Sequence, residues 1–158
     1  MAVIELENSY ISLDDANTYF ANRLYTDPWD NTSSDESEKE YSLIWACSLM
    51  ENRVHWQGLK TNLSQALQWP RKGLVNLYGQ TVDKTIIPES IKAVQCELAL
   101  YLLQNNPMTV NNGIERLDLD GLLINVSNTN QTIPNKIFQI VAHWGTLLDN
   151  PGTMRVTR

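Results

Sequence analysis

Four stretches of the chain repeat their apolar residues at helical spacing, and one alternates them as a strand does. In the first, Ala16, Tyr19, Phe20 and Arg23-Leu24 mark the inward face of a helix predicted from Ser12 to about Tyr25. Ser12-Leu13-Asp14-Asp15 opens it with an N-cap serine and an acid three residues on, a variant of the capping box. Thr26-Asp27-Pro28-Trp29 ends it, because proline cannot continue a helix and restricts the residue before it. In the second stretch, Leu43, Ala46, Cys47, Met50 and Val54 form a stripe that Ile44, Trp45 and Leu49 widen. This helix is expected to start near Ser33, with Glu36 at the matching third position, and to end by Gly58. Asp35, Glu36, Glu38 and Glu40 crowd its first turns, where the positive end of the helix dipole favours them.

The third helix has the clearest pattern. Pro88 stands at its first position, where a missing N–H costs nothing. Ile91, Val94, Leu98, Tyr101 and Leu102 make one face, and Ala93, Cys96, Leu100 and Leu103 another. So few polar positions remain that the helix is expected to be central, packed on several sides, and to end before Asn105-Asn106-Pro107. The last helix is predicted from Pro134, with Ile137, Phe138, Val141 and Trp144 inward and Gly145 as its stop.

Between these two helices, Leu117 and Leu119 alternate with Asp118 and Asp120, and the alternation resumes after Gly121 at Leu122, Ile124 and Val126. Asp-Gly between alternating segments predicts a tight β-hairpin. A lone two-stranded hairpin is marginal in water, so a helix or a neighbouring subunit must cover its apolar side. Residues 59–85 are less regular. Ser64 to Gln68 could form a short helical turn, and Trp69-Pro70-Arg71 forces an extended segment. Gly73 and Gly79 punctuate a loop whose Leu74, Val75, Leu77 and Tyr78 are expected to lie against the core. The tail from Asp149 to Arg158 has no periodicity and reads as a flexible arm that could order on a partner. The expected fold is therefore mainly α, a compact bundle of about four helices with an inserted β-hairpin. It divides into a helical domain over 1–148 and a C-terminal arm over 149–158.

Charge changes the functional picture more than the fold. The 158 residues carry a net charge of −6, unevenly spread. Residues 1–58 hold 11 acids and 3 bases, residues 59–112 hold 3 acids and 5 bases, and the remainder balance. Tight binding to nucleic acid needs clustered Lys and Arg that release counterions, and the 12 basic residues here form no such cluster. An acidic surface instead lets DNA pass without sticking. No apolar run reaches the length of a membrane span. The N-terminus lacks the basic-then-apolar pattern of a signal peptide, so synthesis in a cytoplasm is expected. Cys47 and Cys96 lie in apolar stretches; one pair makes no disulfide framework, and buried free thiols are the simpler expectation.

Candidate chemistry is sparse. His55 and His143 belong to no His-Glu-x-x-His pattern and have no cysteine pair nearby at zinc spacing. The 7 glycines form no dinucleotide or phosphate loop and no nucleophile elbow. Asp14-Asp15 is explained by capping, and Asp118 and Asp120 by turn geometry. The expectation is a chain that is not an enzyme, with no catalytic residue, metal or cofactor. Five tryptophans could stack bases, or anchor a core and interfaces. Trp69-Pro70-Arg71 is the best local candidate for stacking, since it pairs a ring with a cation.

Several phrases together resemble a known family. They are Tyr10-Ile11-Ser12-Leu13 with Ala16, Tyr19 and Phe20; Trp29; Trp56-Gln57-Gly58; Gln65-Ala66-Leu67-Gln68-Trp69-Pro70-Arg71; Ile87-Pro88 with Ala93; and Glu97-Leu98-Ala99. In this order they resemble a family of tailed-phage proteins, often filed as DnaT-like single-strand-binding proteins, that look like head–tail connectors (head-completion adaptors). The likeness runs over about residues 8–145, and the phrase from Gln65 to Arg71 is its most specific part. The resemblance implies a virion structural protein, made in the host cytoplasm and placed at the head–tail interface. There it would bind the portal protein and a tail or stopper protein, and would form a homo-oligomeric ring, a dodecamer, through which double-stranded DNA passes without specific binding. Such a ring is a head-to-tail assembly that closes. On this reading Leu117, Leu119, Gly121, Leu122 and Ile124 would form the subunit interface, and Met154, Arg155, Val156, Thr157 and Arg158 the portal-docking arm. The alternative function is a single-stranded-DNA-binding accessory protein of replication, with Trp69 and Arg71 as its contacts.

Overall fold

A computed structural model describes residues 2–32, 36–105, 117–119, 122–124, 137 and 139–148. Helix α1 spans Leu13–Ala21, and Ser12 caps it as its sequence predicts, its side chain accepting from the Asp15 N–H at 3.1 Å. It stops four residues short of the predicted end. The Asn22 and Arg23 N–H groups fold back on the Tyr19 and Phe20 carbonyls in tight three-residue turns. Tyr25 then takes a left-handed backbone conformation, φ 63°, leaving Leu24 and Tyr25 in solvent. Helix α1 does not continue through Pro28, which sits in the first turn of a separate one-turn helix, α2, Asp27–Asp30, where proline is tolerated. That turn buries Trp29 against Phe20, ring centres 4.4 Å apart, and the Trp29 indole N–H donates to Asn17 Oδ1.

Helix α3 spans Ser37–Arg53 and buries Leu43, Ala46, Cys47 and Met50, the predicted stripe. Its expected cap, Ser33, lies outside the described residues, and Glu36 occupies the cap position. Helix α4, Glu89–Gln104, follows Pro88 and buries eight residues, among them Gln95. It packs most extensively against α3, which makes it the central element that its lack of polar positions predicts. Gln95 ties three segments together: its Nε2 donates to Ser9 Oγ and the Leu43 carbonyl, and its Oε1 accepts from the Tyr10 N–H. A buried amide satisfied on both ends fixes register without leaving an unpaired polar atom.

The expectation of a four-helix bundle is not met. Three helices of two turns or more carry the described core, and three two-stranded antiparallel ribbons accompany them. The chain predicted as the end of the second helix leaves it at Arg53. Val54–Trp56 is strand β1, with Val54 and Trp56 buried and His55 exposed. Its partner is β6, Gly145–Leu147, pairing Trp56 with Gly145 and Val54 with Leu147. Gly145, predicted as a helix stop, therefore starts a strand. A Cβ there would stand 2.7 Å from Val54 Cγ1 and 2.8 Å from the His55 carbonyl oxygen, so only glycine allows this close approach. Of the last helix, Ile137 and Gln139 are helical and residues 140–144 are turns, while Phe138 lies outside the described residues.

Strands β2, Leu59–Lys60, and β3, Arg71–Lys72, form the second ribbon. The predicted hairpin is present as β4, Leu117–Leu119, and β5, Leu122–Ile124. Leu119 pairs with Leu122, the register of a two-residue connection. Its turn, Asp120-Gly121, and the arm over 149–158 lie outside the described residues.

Candidate functional site

The most specific phrase in the sequence, Gln65 to Arg71, points inward. Gln65 Nε2 donates to the carbonyls of Leu67 and Pro70, and its Oε1 accepts from the Asn62 N–H. Leu67 and Trp69 are buried, and the Trp69–Pro70 peptide bond is cis. Trp69 stands edge-on between Trp56 and Trp144, at centroid distances of 5.7 and 5.9 Å. The indole N–H groups of Trp56 and Trp69 find no acceptor among the described residues.

Arg71 is 7% exposed, and its guanidinium works as a clamp. Nε donates to the Gln57 carbonyl at 2.6 Å, Nη2 to the Gly58 carbonyl at 2.7 Å and the Trp56 carbonyl at 3.4 Å, and Nη1 to the Gln68 carbonyl and Oε1 at 3.1 and 3.0 Å. Burial lowers its pKa, while Tyr10 and Glu51 act the other way. Glu51 completes the network by accepting from the Tyr10 hydroxyl and from the Gln68 N–H. Desolvation and the Glu51 carboxylate push the Tyr10 hydroxyl well above the usual phenol range. Neither Trp69 nor Arg71 can meet a strand of DNA from these positions, so the sequence-based choice of both as contacts is corrected.

What the clamp supports is an exposed ribbon. Cross-strand neighbours Leu59 and Lys72 both face solvent, whereas Arg71 turns inward and Lys60, half-buried, donates to the Gln65 carbonyl. The chain then runs into a second hairpin that sequence reading placed against the core. Leu74 is buried, but Val75, Leu77 and Tyr78 are exposed, Tyr78 by 87%. The reason is local. Val82 N–H bonds the Leu74 carbonyl, Val75 bridges Thr81, and the Gly79 N–H closes a four-residue turn on the Asn76 carbonyl at 2.9 Å. Asn76 Oδ1 accepts from the N–H groups of Tyr78 and Gln80, and Gly79 takes the left-handed conformation, φ 76°. Leu77 and Tyr78 are thus the central residues of a turn and stand clear of the body. The signal was readable: asparagine first and glycine fourth is the signature of such a turn.

This lobe is anchored at two further points. Thr61 Oγ1 donates to the Lys84 carbonyl at 2.6 Å, and the His143 ring nitrogen Nε2 meets the Val75 carbonyl at 2.9 Å. Over residues 59–86 there are four basic residues and one acid, Asp83. Thr85 holds the Asp83 carboxylate through its hydroxyl and its N–H, which lowers the Asp83 pKa and keeps it charged. The lobe is the one stretch of the described chain with a clear positive balance.

Two grooves mark the rest of the described surface. A groove of about 740 Å³ lies between α1 and the start of α4, lined by Asp15, Tyr19, Arg23, Ser90 and Lys92 among others. Its charges answer one another: Arg23 pairs with Glu97 at 2.6 Å, Tyr19 donates to the same carboxylate, and Lys92 lies 3.6 Å from Glu89. A smaller groove of about 360 Å³ lies along β1 and β6 and is mainly apolar. Neither contains His55 or His143. Among the described residues there is no cluster that could hold a metal ion. Leu117, Leu119, Leu122 and Ile124 are brought onto one hairpin, as the sequence predicts, while Gly121 and the residues from Met154 to Arg158 fall outside the described chain.

A family model matches residues 4–153, and its description reads "Putative DnaT-like ssDNA binding protein". The match covers nearly the whole chain and corrects the resemblance to head–tail connectors, because the family it identifies is not a connector family. No curated protein and no solved structure matches the chain.

Proposed function

This chain belongs to the family of DnaT-like ssDNA-binding proteins, and from that premise we propose that it binds single-stranded DNA as an accessory protein. Family membership carries the reading. The positive balance of the 59–86 lobe, in a chain of net charge −6, supports it. Phosphate attraction is local here, and the acidic first third repels DNA, so binding is weak and falls as salt rises. The test is fluorescence anisotropy of a labelled oligothymidine at low and moderate salt. A shift at low salt that fades as salt rises is expected. No shift at low salt removes the reading.

A further inference from the structure

The proposed binding of single-stranded DNA needs a surface, and the residues first expected to supply it are buried. The second hairpin has the right chemistry instead. Its legs are in register through the Val75–Thr81 bridge and the bond from the Val82 N–H to the Leu74 carbonyl. Three residues below that bridge on one leg stands Lys72, and three below it on the other stands Lys84; both are exposed. Tyr78 sits midway, at the tip, 87% exposed and held by the turn rather than by packing. Two cations at the base and one aromatic ring at the tip are an arrangement that a few nucleotides can follow.

We propose that this hairpin is the DNA contact: Tyr78 stacks on one base, while Lys72 and Lys84 hold the phosphates that approach it. The inference rests on the ssDNA-binding reading above. Stacking tolerates any base because each has a π face, and two cations neutralise few phosphates. The site is therefore short, sequence-tolerant and of shallow salt dependence. With about two phosphates neutralised, log Kd changes with log salt by a slope of about 1.4. Arg71 is a positioning residue in this scheme: it holds β3, and thereby the leg that bears Lys72, without touching DNA.

The experiment uses the full chain and a fluorescein-labelled 20-nucleotide oligothymidine, titrated at several salt concentrations. Tyr78→Ala is expected to weaken binding by about tenfold, and Tyr78→Phe to restore it, since the ring stacks without its hydroxyl. Lys72→Ala with Lys84→Ala is expected to weaken binding and flatten the salt slope towards zero. All three positions are exposed, so thermal melts of the variants should match the parent and exclude misfolding as the cause. If the parent binds and these variants bind equally well with the same slope, the contact lies elsewhere and only the hairpin assignment is overturned. If the parent shows no binding at low salt, the ssDNA reading and the hairpin assignment fall together, and the hairpin is left as a surface for protein.

Discussion

A charged side chain buried among carbonyls is worth most when every donor is used, and Arg71 uses all three of its nitrogens on five acceptors. Truncating it takes the guanidinium donors from the carbonyls of Gln57, Gly58 and Gln68 and so unties β3 from the chain on either side of it. Arg71→Ala should therefore destabilise the fold by about 3 kcal/mol. Urea unfolding checks this, as a lower midpoint at unchanged slope. Arg71→Lys should recover little, because an ammonium cannot span the fork that the planar guanidinium fills. The residue also illustrates what a sequence conceals. Trp69-Pro70-Arg71 carries an aromatic next to a cation, which reads as a base-stacking motif, but residue types do not say which way side chains point. In a two-stranded ribbon, neighbours alternate sides: Arg71 goes in and Lys72 comes out. The same ambiguity applies to all the tryptophans, none of which is exposed. Binding of an oligonucleotide at Tyr78 should consequently leave tryptophan emission almost unchanged, whereas unfolding should shift it to the red.

Elements that carry their own boundary signals were legible, and elements made by distant pairing were not. Helix α1 begins where Ser12 says it should, because a cap bonds only three residues away. Helix α4 and the register of the β4–β5 hairpin were readable for the same local reason. Strand β1 was not. Val54, His55 and Trp56 follow a helical stripe without punctuation, and they become a strand only because Gly145–Leu147 arrives alongside from far down the chain. The Asn76–Gly79 turn carries a local signal, but the apolar Leu77 and Tyr78 within it mimic core positions, and only the fold shows that they face solvent. A direct consequence for the long-range ribbon concerns Gly145. Its missing Cβ is space already taken by Val54 and by the His55 backbone, and a carbonyl cannot rotate away as a side chain does. Gly145→Ala should cost about 1–3 kcal/mol through forced separation of β1 and β6. Thermal melts would register the loss. Hydrogen exchange would show it first at the Gln57 N–H, which bonds the Trp144 carbonyl at 2.9 Å beside that strand pair.

At the scale of the whole molecule, the four described groups that folding shifts most, Cys47, Cys96, Tyr10 and Tyr19, all shift upward. Burial pushes the Cys47 thiol up to about 12, helped by Glu51, and the Cys96 thiol up to about 12, helped by Glu97. Tyr10 and Tyr19 also move up, mainly through burial and then through their bonds to Glu51 and Glu97. These groups sit on the segment before α1, on α1, α3 and α4, so they sample the packing of the entire helical core. An acid whose pKa is raised by folding favours the native state as long as it stays protonated in the unfolded chain. Below about pH 8.5 the four contribute their full share. As pH climbs, the unfolded thiols and then the unfolded tyrosines ionise while the native ones do not, and the native state loses ground steadily up to about pH 12. The fold should therefore be nearly indifferent to pH between 7 and 8 and weaken progressively from about pH 9 upwards. Urea midpoints taken at intervals across that range measure it. Replacing both cysteines, Cys47→Ala with Cys96→Ala, should reduce the early part of the decline, near pH 9–10, and leave the later part to the tyrosines. A midpoint that held constant to pH 11 would mean that the thiols and the Tyr10–Glu51 contact are far more open to water than their burial indicates.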